Sequence, residues 1–137
     1  MKRFAVRAGV SMFALGVLAV VSGCPARGFQ IFLVNGGDFP VVGVYITPVD
    51  DDEWGDNRLD SIVPAGQSVL LSWEFAKGAV YDVAVVYDLA PNTADGNLVP
   101  LYTKIDTSAL SGDYVTLSAT YKQDGSHGSS YTYGLPD

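Results

Sequence analysis

The chain holds a single cysteine, Cys24, and a single histidine, His127, in 137 residues. One thiol cannot form an internal disulfide, so the fold must stand on its hydrophobic core. One histidine leaves no cluster of imidazoles for a transition metal, and no nucleophile, base and orienting acid converge around it in the sequence. Cations are scarce as well, with 8 Lys and Arg against 15 Asp and Glu. Nucleic-acid phosphates need clustered positive charge, which argues against a nucleic-acid partner. Long apolar runs are also missing. The one uncharged stretch at the start, Ala8 to Val21, is about fourteen residues, the length of an export leader's apolar region rather than of a membrane span.

What is present begins with that leader. Lys2, Arg3 and Arg7 form a basic start, the apolar run follows, and Val21-Ser22-Gly23 leads into Cys24. The stretch Val21-Ser22-Gly23-Cys24 resembles the bacterial lipobox, in which an aliphatic residue and two small ones precede a cysteine that becomes acylated and the first residue of the mature chain. The resemblance implies a lipoprotein of the bacterial cell envelope, anchored in the bilayer through diacylated Cys24. An unpaired thiol in an exported chain is otherwise an oxidation hazard. Two or three long acyl chains, each methylene worth about 0.8 kcal/mol, would hold such an anchor firmly. The expected organisation is therefore a signal peptide over 1–23, a lipidated tether over 24–28, a β domain over 29–122 and a mobile Gly/Ser/Tyr-rich tail over 123–137. All 15 acids lie beyond the leader with five cations, so the mature side chains sum to about −10.

Period-two patterning predicts the fold. In Val69 to Phe75 the odd positions Val69, Leu71, Trp73 and Phe75 are apolar, which predicts one strand with Trp73 in the core. Tyr81, Val83, Val85 and Tyr87 alternate with polar positions, with Asp82 and Asp88 on the reverse. Val115 to Lys122 alternates in the same way. Phe29–Val34 and Val41–Thr47 are expected to pair as a hairpin through Asn35-Gly36-Gly37-Asp38, residues that tolerate left-handed backbone. Val99–Ile105 holds Pro100, which cannot donate a ladder hydrogen bond and so belongs at a sheet edge. Ser61–Val63 is a short strand leading into a type I turn at Val63-Pro64-Ala65-Gly66. From Gln123 to Ser130 no pattern is visible, and Tyr131 to Tyr133 is placed as a docking edge strand. The expectation is an all-β fold: a single antiparallel β-sandwich of six or seven strands, immunoglobulin-like or transthyretin-like.

The most polar stretch, Pro48 to Asp60, carries six carboxylates: Asp50, Asp51, Asp52, Glu53, Asp56 and Asp60. Hard cations such as calcium take several oxygen ligands, so these acids are the candidate metal ligands of a calcium-dependent adhesion module. EF-hand spacing fails, because Trp54 and Ser61 stand where acids belong. The competing expectation is a solvated acidic loop that keeps a strand edge from pairing, with Trp54 plugging it onto the sandwich and Arg58 offsetting local repulsion. Phe32, Tyr45, Tyr102 and Tyr114 fall on the outward parity of their strands, an aromatic face that can stack on sugars or on a protein partner. A paired-carboxylate hydrolase is the least favoured alternative, since no pair identifies itself. No catalytic residues, and no cofactor besides that calcium, are expected.

Tyr45-Ile46-Thr47-Pro48, Trp54-Gly55-Asp56-Asn57-Arg58-Leu59, Pro64-Ala65-Gly66-Gln67-Ser68-Val69 and Tyr81-Asp82-Val83-Ala84-Val85 together resemble an uncharacterised family of small bacterial exported β domains. The resemblance spans about Phe29 to Leu89 and implies structural roles for Trp54, Gly55 and Tyr81 without supplying an activity, while the structural role expected of Trp73 comes from the strand parity. The function expected is that of a membrane-anchored, non-catalytic binding or structural module.

Overall fold

The computed structural model describes residues 28–136, so Cys24 and the leader lie outside the described residues. Those residues are all-β, with strands β1 (Gly28–Asn35), β2 (Val41–Pro48), β3 (Ser68–Leu70), β4 (Phe75–Ala76), β5 (Val80–Asp88), β6 (Leu98–Asp106), β7 (Tyr114–Tyr121) and β8 (His127–Tyr133). One sheet has the order β3-β1-β7-β8, with β4 also pairing β1; the other has the order β2-β5-β6. Their inner faces share one core. Phe29, Ile31, Leu33, Val115 and Leu117 come from the first sheet, and Val44, Ile46, Val83, Val85, Tyr87 and Ile105 from the second. Alternation sends every second side chain inward, which makes a two-layer sandwich of the patterned strands.

The expected hairpin between β1 and β2 does not form. β1 lies between β3 and β7, while β2 pairs β5, so the 35–40 segment carries the chain from one sheet to the other. Gly36 and Gly37 do not take left-handed backbone. Gly37 is needed for another reason: a Cβ there would lie 2.6 Å from the backbone nitrogen of Tyr121 and 2.7 Å from its oxygen. The hairpins that do form are β5–β6 and β7–β8. β1 and β7 run parallel, from Gln30 opposite Tyr114 to Asn35 opposite Ala119, the one departure from antiparallel pairing among the described strands.

Three further expectations are corrected. The 69–75 strand is broken between β3 and β4, so its parity is lost. Leu71 stays buried, but Trp73 is 37% exposed and outside the core. Ser61–Val63 contributes only an isolated bridge, Val63 to Val41, and the following turn closes one residue later than expected, from Gln67 N to Pro64 O. The domain does not end at Lys122. A tight turn over 122–126 returns the chain as β8, which pairs β7 from Tyr121–His127 to Val115–Tyr133, so the edge strand placed at Tyr131 to Tyr133 starts four residues earlier. Ser, Gly and Thr make that strand illegible by hydrophobic pattern, because β8 lies at the sheet edge and is mostly exposed.

β5 is the central strand of the smaller sheet. Its inner positions Tyr81, Val83, Val85 and Tyr87 are buried as the alternation predicts, but so are Ala84 and Val86 on the outer parity. The loop between β2 and β3 lies on that outer face, where its Trp54 stacks on Tyr102 of β6. Pro100, as expected, sits on an edge strand, β6.

Candidate functional site

The outer face of the smaller sheet is built in cross-strand rows. Tyr45, Ala84 and Tyr102 share one row, and Thr47, Asp82 and Lys104 the next. To the Tyr102 end of that row the 49–60 loop brings Trp54, which is only 4% exposed. Its ring stacks on that of Tyr102, with centroids 5.9 Å apart and planes at 24°. Gly55 follows with φ of 77°, a left-handed backbone that L side chains rarely adopt, so the loop turns sharply just after the indole. Tyr102 itself is 56% exposed, one ring face against the indole and the other toward solvent.

The same loop is fixed by Asn57. Its Oδ1 accepts from Val44 N at 3.0 Å, and its Nδ2 donates to Val42 O at 3.1 Å. Arg58 N donates to Val44 O at 2.7 Å. The carboxamide thus occupies the free edge of β2 much as a neighbouring strand would. Arg58 is anchored too, its guanidinium 4.2 Å from the Trp73 ring centre and 5.6 Å from that of Phe75, with Nη2 donating to Ile46 O at 3.4 Å. Burial pulls its pKa down and Asp56 pulls it back up. Arg58 is therefore a clamp between the acidic loop and the 71–75 segment, and the exposed Trp73 is its stacking partner.

Between this loop and the sheet runs an open groove of about 580 Å³, lined by Val49, Asp51, Asp52, Trp54, Asp82, Val83, Tyr102, Thr103 and Lys104. Lys104 Nζ lies 2.6 Å from Asp82 Oδ1. Asp51 Oδ1 accepts from Glu53 N at 3.2 Å, closing a small turn at the rim. The groove joins a flat aromatic surface, apolar walls and carboxylates, the combination by which sugars and small organic cations are held.

The candidate metal ligands are spread out. Asp50, Asp51, Asp52, Asp56 and Asp60 are exposed and Glu53 is half-buried. Asp60 accepts from Ser72 Oγ at 3.3 Å, away from Asp51 and Asp52 at the groove. Among the described residues, no three Asp, Glu or His side chains form a group able to hold a metal ion. Tyr81 is buried, donates to Ala76 O at 2.7 Å, and packs edge-on against Phe29 and Phe75. Of the outward aromatics, Phe32, Tyr45 and Tyr114 are half-buried, leaving Tyr102 as the strongly exposed ring of that set. His127 lies at the start of β8, stacked on Tyr121 at 5.1 Å.

Sequence reasoning singled out Trp54, Asp51, Asp52 and Tyr102 separately. It did not join them, because only the β5–β6 register brings Tyr102 and Lys104 alongside Ala84 and Asp82, beneath the loop. No helix occurs among the described residues, hence none long and apolar enough to cross a membrane.

No protein-family profile and no curated protein matches the chain. Among solved structures, it is similar to an NMR structure of a protein from Eubacterium rectale, with a TM-score of 0.48 and 16% identity over 81% of this chain and 94% of the other.

Proposed function

We propose that this is a lipid-anchored, non-catalytic glycan-binding module of the bacterial cell envelope, tethered through Cys24 and binding through the groove beside Tyr102. The observation that carries the binding half is the exposed Tyr102 ring stacked on buried Trp54 at the wall of the groove. A ring backed by a second buried ring is held flat and rigid, the condition for stacking against the CH face of a sugar at little entropic cost. Carboxylates on the flanks, Asp51, Asp52 and Asp82, accept hydrogen bonds from hydroxyls.

A glycan is favoured over an extended peptide because strand addition has little room. The β2 edge is occupied by Asn57, and the β6 and β8 edges face each other, linked by a Thr103–Ser129 hydroxyl contact and by Tyr131 and Tyr133 bonding the Asp106 backbone. β3 has just three residues. Peptides gain affinity on sheets mainly by pairing with a free edge.

The tether rests on Val21-Ser22-Gly23-Cys24, and β1 starts at Gly28, close enough to keep the domain at the bilayer surface. Two experiments test the reading. Cells grown with a clickable fatty acid should label the wild-type protein and leave Cys24→Ala unlabelled; an unlabelled wild type sinks the tether. A glycan array probed with wild type and Tyr102→Ala should show signals that the variant loses; an array on which the two proteins give the same pattern sinks the groove.

A further inference from the structure

We infer that Asn35-Gly36 is a deamidation site held shut by the native fold, so that only unfolded copies are converted, irreversibly, into chains that do not refold. The starting point is a glycine the fold does not need. Gly36 has no left-handed backbone, and a Cβ there would meet only the Thr120 hydroxyl at 3.3 Å and the Ala119 oxygen at 3.7 Å. The steric demand at this crossover falls on Gly37, against the backbone of Tyr121. What a glycine at 36 does change is the chemistry of the residue before it. Asn35-Gly36 is the one Asn-Gly pair in the chain. With no side chain on the glycine, its backbone nitrogen can approach the asparagine carboxamide unhindered.

The step is intramolecular and needs no co-reactant but water. The Gly36 nitrogen gives its proton to hydroxide and attacks Cγ of Asn35. The new N–Cγ bond closes a five-membered imide, the Cγ–Nδ2 bond breaks, and ammonia leaves with a proton from water. A second water then opens the imide at one carbonyl or the other, leaving an aspartate or an isoaspartate at position 35.

In the folded protein every participant is tied elsewhere. Gly36 N donates to Ala119 O at 2.8 Å. Asn35 N donates to Gln67 O and its carbonyl accepts from Gly66 N, both at 2.9 Å, which fixes the backbone that ring closure must rotate. The carboxamide is held by Nδ2 donating to the carbonyls of Phe39, Val63 and Pro64 at 2.9, 3.0 and 3.2 Å, and by Oδ1 accepting from Gly37 N and the Tyr87 hydroxyl. Asn35 is fully buried, so hydroxide does not arrive. The same contacts decide the fate of the product. An aspartate puts an acceptor where Nδ2 donated, facing three carbonyl oxygens in a buried site, and an isoaspartate adds a methylene to the backbone at the end of β1. Unfolding thus starts a clock, and a copy that stays open too long is lost.

The test holds the full chain, purified in detergent, at mildly alkaline pH in native buffer and in urea. Peptide mass spectrometry follows the amide-to-acid mass gain at Asn35, and thermal melts follow recovery after urea is removed. Conversion is expected to be at least about a hundredfold faster in urea, with the recovered fraction falling in step. Gly36→Ala should convert at least about tenfold more slowly in urea, because its methyl crowds the attacking nitrogen; that rate requires no folded protein. Asn35→Asp, made directly, should lack the wild-type melt. Equal conversion in native buffer and urea overturns the inference, as does a Gly36→Ala chain that converts as fast as wild type. An Asn35→Asp protein that melts like wild type overturns the irreversible half.

Discussion

The hydroxyl of Tyr87 donates to Oδ1 of Asn35 at 2.8 Å, joining the central strand of one sheet to the end of β1 in the other. Asn35 is fully buried, and every polar atom of its side chain is used. Oδ1 also accepts from Gly37 N at 3.0 Å, while Nδ2 donates to Phe39 O at 2.9 Å and to Val63 O at 3.0 Å. One carboxamide thus fixes the crossover, the Val63 bridge and the sheet-to-sheet distance. Asn35→Ala strands several of these groups and should cost about 3 kcal/mol, whereas Tyr87→Phe leaves Oδ1 bonded to Gly37 and should cost about 1 kcal/mol. Urea denaturation of the two variants and their double mutant measures the coupling; equal losses would show that Asn35 is not the hub.

Burial raises the Tyr87 phenol well above its ordinary pKa of 10.0, and raises Tyr81 despite its bond to Ala76. Folding therefore favours the neutral phenols. The stability they contribute is fully present below pH 10 and is lost as pH rises from there toward the folded-state values. Denaturation midpoints should be level between neutral pH and the onset of tyrosine ionisation and then fall. Tyr87→Phe should flatten much of the fall, leaving the part due to Tyr81.

The two tryptophans should behave in opposite ways. Trp54 is buried beneath Tyr102, so Trp54→Ala should cost about 3 to 5 kcal/mol. Trp73 packs chiefly against the Arg58 guanidinium, so Trp73→Ala should cost about 1 kcal/mol. Thermal melts compare them directly, and a larger loss at Trp73 would return that ring to the core.

Neighbouring glycines differ as sharply. Gly37→Ala drives a methyl into the Tyr121 backbone and should destabilise by about 2 kcal/mol. Gly36→Ala meets the Thr120 hydroxyl at 3.3 Å, a side-chain contact that can give, and should stay within about 0.5 kcal/mol. Chemical denaturation distinguishes a steric requirement at one position from a general need for glycine at both.

Asn57→Ala should remove about 1 to 2 kcal/mol and, more tellingly, uncover the β2 edge. Light scattering over a concentration series should show association in the variant at concentrations where the wild type stays monodisperse. No change in mass would mean that the backbone bond from Arg58 to Val44 suffices to block the edge.

Where strands are half-buried, the sequence is legible. β5 and β7 alternate because one face of each fills the core, and Pro100 marks an edge because it lacks an N–H. Legibility fails where burial stops following a period of two. β3 and β4 are too short to set a parity, so Trp73 looked like a core residue although the chain bends around it. β8 offers hydroxyls and glycines that a hydrophobic pattern does not register. The hairpin expected at 35–38 fails because two glycines in a turn-like setting signal close approach as readily as reversal, and here Gly37 is pressed against Tyr121. For the site, the loop contributed its readable half, Trp54 and its acids. Tyr102 and Lys104 join it through a register that no local signal specifies.

The placement of β1 between β3 and β7 has a mechanical side. Any pull entering the domain through Gly28 acts along a strand bonded on both flanks, antiparallel to β3 and β4 and parallel to β7. The rungs on the two sides are then sheared together instead of being peeled one at a time. A leash attached at this end would load the molecule where it yields last.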